Sequence, residues 1–187
     1  MDTAEEFPKE LCVGRQQKNQ SKGETEHHYG GVRLSLFFYE RNEGMGYRRL
    51  FIMRKDLQMS AGKLAAQVGH CAEAYWLRLI QSGLSEDNVN PRKVCFELTA
   101  EMVDGYINGA IVKTICEAKN KNHLLKAKLQ AEEMGLTENV DFGLIYDKCL
   151  TELEPEEEDG TTLTGIWFKP LDDETAHTIS RKYQLYK

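Results

Sequence analysis

Lys63, Gln67 and His70 recur at intervals of four and three residues within Ser60-Ala-Gly62-Lys63-Leu-Ala-Ala-Gln67-Val-Gly-His70, a stretch with a helical pattern. At about 100° per residue their side chains fall within roughly 60° of one another, with Leu64, Val68, Cys71 and Tyr75 on an adjacent apolar stripe. One side of this helix therefore packs on a core, while a cation, an amide and an imidazole ride its border and face a cleft. The helix starts at Ser60, just after the charged turn Arg54-Lys-Asp56-Leu. A helix N-terminus offers unpaired N–H groups and partial positive charge to a phosphate or a developing oxyanion. The run Asp141–Asp147 closes on a strand-end aspartate, Asp147. Taken singly, each residue also has an ordinary role. A first-turn lysine is a solvated charge and a strand-end aspartate a turn residue. Arg54 and Asp56 hold the turn, Asp56 by accepting backbone N–H bonds.

These side chains need a scaffold, and the pattern supplies strands alternating with helices. Strands are predicted at about 47–54, Lys93–Leu98, Ile111–Cys116, Asp141–Asp147, Leu163–Phe168 and Tyr183–Tyr186. Helices are predicted from Ser60 to about Ser82 with Gly83 as the stop, over 100–108, over 121–134 capped by Asn120 and closed by Gly135, and over Asp172–Ser180. This alternation implies an α/β fold containing parallel strand pairs. Residues 1–30 are polar and without period and read as a flexible tail, in which His27-His28 is a solvated pair. Residues 31–44 read as an added strand, Val32–Tyr39, and a linker before a domain over 45–187.

At 187 residues, with 41% hydrophobic and 29% charged residues, the chain suits one folded domain of ordinary composition. No apolar run approaches the ~20 residues of a membrane helix, and no signal-peptide pattern opens the chain. Five cysteines without close pairs (12, 71, 95, 116, 149) suit a reducing, cytoplasmic compartment. No His/Cys/Asp/Glu cluster has metal-ligand spacing, so neither a metal nor a cofactor is expected. The net charge of −6 disfavours nucleic acid, but Glu152, Glu154, Glu156, Glu157, Glu158 and Asp159 equal that whole excess within one segment. Arg48, Arg49, Arg54, Lys55 and Lys63 cluster near the expected cleft as a local basic surface.

The turn and helix at 54–70 resemble the peptidyl-tRNA hydrolases of the second class, the archaeal and eukaryotic type. That family carries Arg-x-Asp-Leu, then Met, then Gly-Lys-x-Ala-Ala-Gln-x-x-His in the same order and spacing. The family's Asp-Ala-Gly-Arg-Thr is represented by Asp147-Lys-Cys-Leu-Thr151, which keeps the ends and loses the Ala-Gly-Arg between them. A proline follows at Pro155, and a second threonine falls at Thr164, or at Thr162 if the register differs, beyond an acidic loop longer than the family norm. The resemblance covers about 45–187 and is strongest over 50–70.

The resemblance implies a small mixed, partly parallel sheet with helices on both faces, a three-layer α/β/α arrangement. It implies an ester hydrolase that releases peptide from peptidyl-tRNA by direct water attack, with tRNA as partner, and a homodimer. Lys63, Asp147, Thr151 and Thr164 would be catalytic, and Gln67, His70, Arg54 and Asp56 would bind substrate. Asp147 would orient or deprotonate the water, and the threonines would position water or carbonyl. Lys63, with the helix N-terminus, would stabilise the oxyanion or the terminal phosphate. No serine or cysteine sits in a recognisable nucleophile elbow. Two alternatives stand beside this reading. One is a non-catalytic tRNA- or protein-binding module, favoured by the altered Asp147–Thr151 segment. The other is a hydrolase of a small non-RNA ester or amide, favoured by the acidity.

Overall fold

The computed structural model describes residues 27–29, 32–34, 46–84 and 94–187. The chain forms two compact units, Met1–Glu43 and Gly44–Lys187. In the first, β1 (His27–Tyr29) pairs antiparallel with β2 (Val32–Leu34), with Tyr29 opposite Val32. The strand expected over Val32–Tyr39 is thus seen as Val32–Leu34, and 35–39 lie outside the described residues. The end of the segment read as a tail is itself a strand. His27–Tyr29 and Val32–Leu34 are separated in sequence by Gly-Gly, a two-residue hairpin signal that outweighs the missing period.

The second unit is built around β3 (Tyr47–Arg54), whose last six residues are all buried. Leu50 and Ile52 point into one core, and Phe51 and Met53 into another, because successive strand side chains alternate faces. β3 therefore lies mid-sheet with helices on both sides. α1 (Ala61–Gly83) covers the Phe51 face through Cys71 and Tyr75. α3 (Lys121–Glu133) and α4 (Asp173–Ser180) cover the other face through Leu124, Ala127, Ala131, Ala176 and Ile179. The sheet order is β5-β6-β3-β4-β8, comprising β5 (Phe142–Asp147), β6 (Thr162–Phe168), β4 (Val112–Ala118) and β8 (Gln184–Leu185) about β3. β7 (Leu171–Asp172) also pairs with β3. Among the described strand pairs of this sheet, β3–β4 is parallel and the others are antiparallel, which makes the three-layer α/β/α sheet mixed as expected.

The helix starts follow from short polar side chains. Ser60 accepts from Lys63 N (3.2 Å), Asn120 from His123 N (2.9 Å) and Asp172 from Thr175 N (2.8 Å). Gly135 ends α3 in a left-handed conformation, φ +82°. Gly83 ends α1 differently. A Cβ there would stand 2.2 Å from the Cys95 carbonyl oxygen, so glycine is required by close chain approach. That crossing also overturns the predicted strand Lys93–Leu98. Lys93 lies outside the described residues, and from Val94 onward only one bridge forms, to Leu84. The segment instead crosses the end of α1, and Leu98 packs on the α1-side core. The helix expected over 100–108 is α2 (Ala100–Met102) running into a π-helical turn, Val103–Ile107.

Candidate active site

Asp147 is the last residue of β5, and α1 lies across that end of the sheet. Lys63 Nζ meets Asp147 at 2.9 Å from Oδ1 and 2.8 Å from Oδ2, and donates to Thr151 Oγ1 at 3.2 Å. Gln67 Nε2 donates to Asp147 Oδ2 at 2.6 Å, and the Cys149 backbone N–H to Oδ1 at 2.9 Å. Behind them the Thr164 hydroxyl donates to Gln67 Oε1 at 2.7 Å, with the Ile145 carbonyl 3.1 Å away. A polar chain thus runs from the core to the surface, Thr164 to Gln67 to Asp147 to Lys63 to Thr151.

Its two ends differ in what they can do. Thr164 and Gln67 are 0% and 1% exposed. The resemblance implies a catalytic Thr164 and a substrate-binding Gln67; the structure buries both behind Asp147, bonded to it in series. Lys63, Asp147 and Thr151 line an open cleft of about 620 Å³, together with His70. Burial would raise the Asp147 carboxyl. The hydrogen bonds from Lys63, Cys149 N–H and Gln67, with the Lys63 charge, outweigh that and hold it below the ordinary carboxylate value. It is therefore ionised at neutral pH. Lys63 spans both Asp147 oxygens, with Gln67 on Oδ2 and the Cys149 N–H on Oδ1, so four nitrogen contacts surround the carboxylate. Because Lys63 donates to the Thr151 oxygen, the Thr151 hydroxyl proton is free for an incoming oxygen.

A β-bulge places Thr164. The β5–β6 register shifts between Ile145 and Tyr146: Ile145 lies opposite Gly165, and Tyr146 opposite Leu163. Thr164 is the extra residue. Gly165 faces Met53 on the α1 side, and Leu163 packs in the opposite core. Regular alternation would send Thr164 to the Leu163 side, but the bulge turns it toward α1 and Gln67. Thr162, the other candidate for this place, instead donates to the Glu154 carbonyl at 2.6 Å and accepts from Glu156 N at 3.0 Å.

Arg54 and Asp56, expected to bind substrate, pair with each other at the turn. The Arg54 guanidinium is 3% exposed, and Nε and Nη2 donate to Asp56 at 3.1 and 2.6 Å. Nη2 also donates to Glu156 Oε1 at 2.8 Å, while Nη1 donates to Glu156 Oε2 and, at 3.1 Å, to the Leu163 carbonyl. All five N–H groups of the guanidinium are engaged, which leaves none for substrate. Desolvation would lower the guanidinium, but these carboxylates raise it. Asp56 therefore holds the turn through Arg54 rather than through backbone N–H groups.

The predicted basic surface and free helix N-terminus are also redistributed. Arg49 is buried under α1, donating to the carbonyls of Ala72, Cys71 (3.0 Å) and Phe168 (3.2 Å). Arg48 pairs with Asp173, and Lys55 with Glu117. Glu152 accepts from Ser60 N at 2.5 Å and Ser60 Oγ at 2.6 Å, so a carboxylate occupies the start of α1. Glu157 pairs with Lys121. The acidic segment is thus largely a set of structural partners, reaching from the loop to α1, β3 and α3. Local sequence pattern cannot reveal ion pairs across about a hundred positions. One further signal was present: Cys149 stands where the family pattern has glycine, and its φ is +54°.

Residues 47–186 match the family model described as Peptidyl-tRNA hydrolase PTH2. A peptidyl-tRNA hydrolase of Thermococcus sibiricus is 27% identical over 139 residues, covering 74% of this chain and 97% of that protein. One of Methanopyrus kandleri is 32% identical over 109 residues, 58% of this chain and 76% of that protein. One of Saccharolobus solfataricus is 24% identical over 138 residues, 74% of this chain and 98% of that protein. With three quarters of its length matched by one family model, the chain belongs to the peptidyl-tRNA hydrolase PTH2 family.

Proposed function

We propose that this protein hydrolyses the ester joining a peptide to the terminal ribose of tRNA, by attack of a water held at Asp147. The observation that carries the roles is the meeting of Lys63, Asp147 and Thr151 at the cleft, braced by buried Gln67 and Thr164. The ionised Asp147 orients the water and receives its proton as the tetrahedral intermediate forms. Lys63 offers its charge to the developing oxyanion. Thr151 hydrogen-bonds the carbonyl oxygen or the departing ribose oxygen through its hydroxyl, and the proton that Asp147 took from the water passes to the ribose oxygen as its bond to the carbonyl carbon breaks. His70, exposed on the cleft two turns from Lys63, contacts the outer part of the substrate. A binding module without turnover has no need of this braced pair, and family membership supports the RNA-linked ester over a small free ester. The same reading places the protein in translation in the cytoplasm, as a homodimer.

The test is release of the N-blocked amino acid from N-acetyl-aminoacyl-tRNA by protein pretreated with chelator. Release at an undiminished rate supports the reading. Substrate left intact, under conditions where an established hydrolase cleaves it, would end it.

A further inference from the structure

β5 is one edge of the sheet, and it ends at Asp147. Natural edge strands are guarded by lysine, proline or a covering segment, since their free N–H and C=O groups invite another strand. β5 reads Phe-Gly-Leu-Ile-Tyr-Asp, with no lysine and no proline. Among the described residues its beginning alone is covered: Phe142 bridges Glu138, and the Phe142 carbonyl accepts from Asn139 N at 2.6 Å. The direction of the remaining groups follows from alternation. The Asp141 carbonyl turns inward, accepting from Lys169 N at 2.7 Å, and that of Phe142 turns outward. The bulge belongs to β6, so β5 keeps its alternation and turns the N–H and C=O of Leu144 and Tyr146 outward. Leu144, Ile145, Tyr146 and Asp147 all line the catalytic cleft, flanked by Ala74 and Leu77 of α1.

We propose that the peptide part of the substrate adds to β5 as a further strand, running parallel to it, with its C-terminal carbonyl delivered to Asp147. This rests on the function proposed above. The orientation follows from the chemistry: the peptide ends in the ester, the ester must lie at Asp147, and β5 itself runs toward Asp147. Main-chain bonds to Leu144 and Tyr146 would hold any sequence, as strand addition does generally. The apolar wall, with Tyr146 48% exposed, would accept varied side chains. The open edge spans about four residues, roughly 13 Å at strand spacing, so three to four peptide residues are engaged.

The test uses the intact protein and a set of peptidyl-tRNAs with the same four-residue peptide. One backbone nitrogen is methylated at a time, and kcat/KM is measured for each. A strand offers only alternate N–H groups to its neighbour, so losses of about three- to tenfold should recur at every second position, with little effect between. Equal rates at all positions, or a uniform loss, would overturn the proposal; a second copy of this chain pairing along β5 would give equal rates. Failure to cleave the unmethylated substrate would instead strike the function on which the proposal rests.

Discussion

Replacing Gln67 with leucine isolates the buried layer beneath the site. The amide makes two bonds, to Asp147 Oδ2 at 2.6 Å and from Thr164 at 2.7 Å. The second has a substitute, since the Thr164 hydroxyl can turn to the Ile145 carbonyl already 3.1 Å away. The first has none, and a hydrogen bond to a charged group is worth about 1.5–3 kcal/mol. Leucine of similar volume at a position 1% exposed recovers part of that through apolar burial, leaving a net loss near 1 kcal/mol. The effect on catalysis should be larger. Asp147 keeps Lys63 and the Cys149 N–H but loses the donor on Oδ2, so kcat should fall about tenfold or more while KM changes little. The pH dependence gives a second readout. The folded Asp147 carboxyl lies below its unfolded value. It therefore contributes stability that is present above the unfolded value and lost as pH falls through the folded one. Removing a donor raises the folded value, so in the variant this contribution shrinks and the acid limb of kcat moves upward. Single-turnover hydrolysis and urea unfolding, both from pH 7 downward, measure the two effects. A wild-type kcat and an unmoved acid limb would refute the view that Gln67 sets Asp147.

Cys149→Gly should raise the unfolding free energy by about 0.5–1 kcal/mol. A left-handed non-glycine residue costs about 1–2 kcal/mol, and the entropy of glycine returns part of the gain; urea unfolding of Cys149, φ +54°, against the variant measures it. Glu156→Gln should destabilise by about 1 kcal/mol, below the cost for a fully buried pair because Glu156 is 36% exposed and Arg54 keeps Asp56. The Arg54 hydrogen bond holds the Glu156 carboxyl below its ordinary value, so this difference should be present at neutral pH and vanish as pH falls through that lowered value. Parallel thermal melts of the two proteins follow it.

The parts of this fold that were readable from the sequence are those written locally. Ser60, Asn120 and Asp172 cap helices through their own short side chains, and the apolar stripe through Cys71 and Tyr75 faces the sheet. Lys63, Asp147 and Thr151 were found through the resemblance, and they come together. What escaped depends on distant neighbours. Thr164 reaches Gln67 only because one strand carries an extra residue relative to its partner, and the mismatch is visible only once β5 and β6 are paired. Arg54 looked available for substrate because its carboxylate Glu156 lies 102 positions away. Lys93–Leu98 carries an apolar run like a short strand, yet at Cys95 the chain passes close against the glycine at the end of α1.

The most direct measurement of the central claim is kcat of Asp147→Asn on N-acetyl-aminoacyl-tRNA, beside its melting temperature. Asparagine keeps the shape and an acceptor for Lys63 at a position 9% exposed, so the fold should persist. The carboxylate that orients the water and takes its proton is gone, and kcat should fall by roughly 10²-fold or more. Turnover close to wild type in a folded Asp147→Asn protein would contradict the assignment of the water to Asp147.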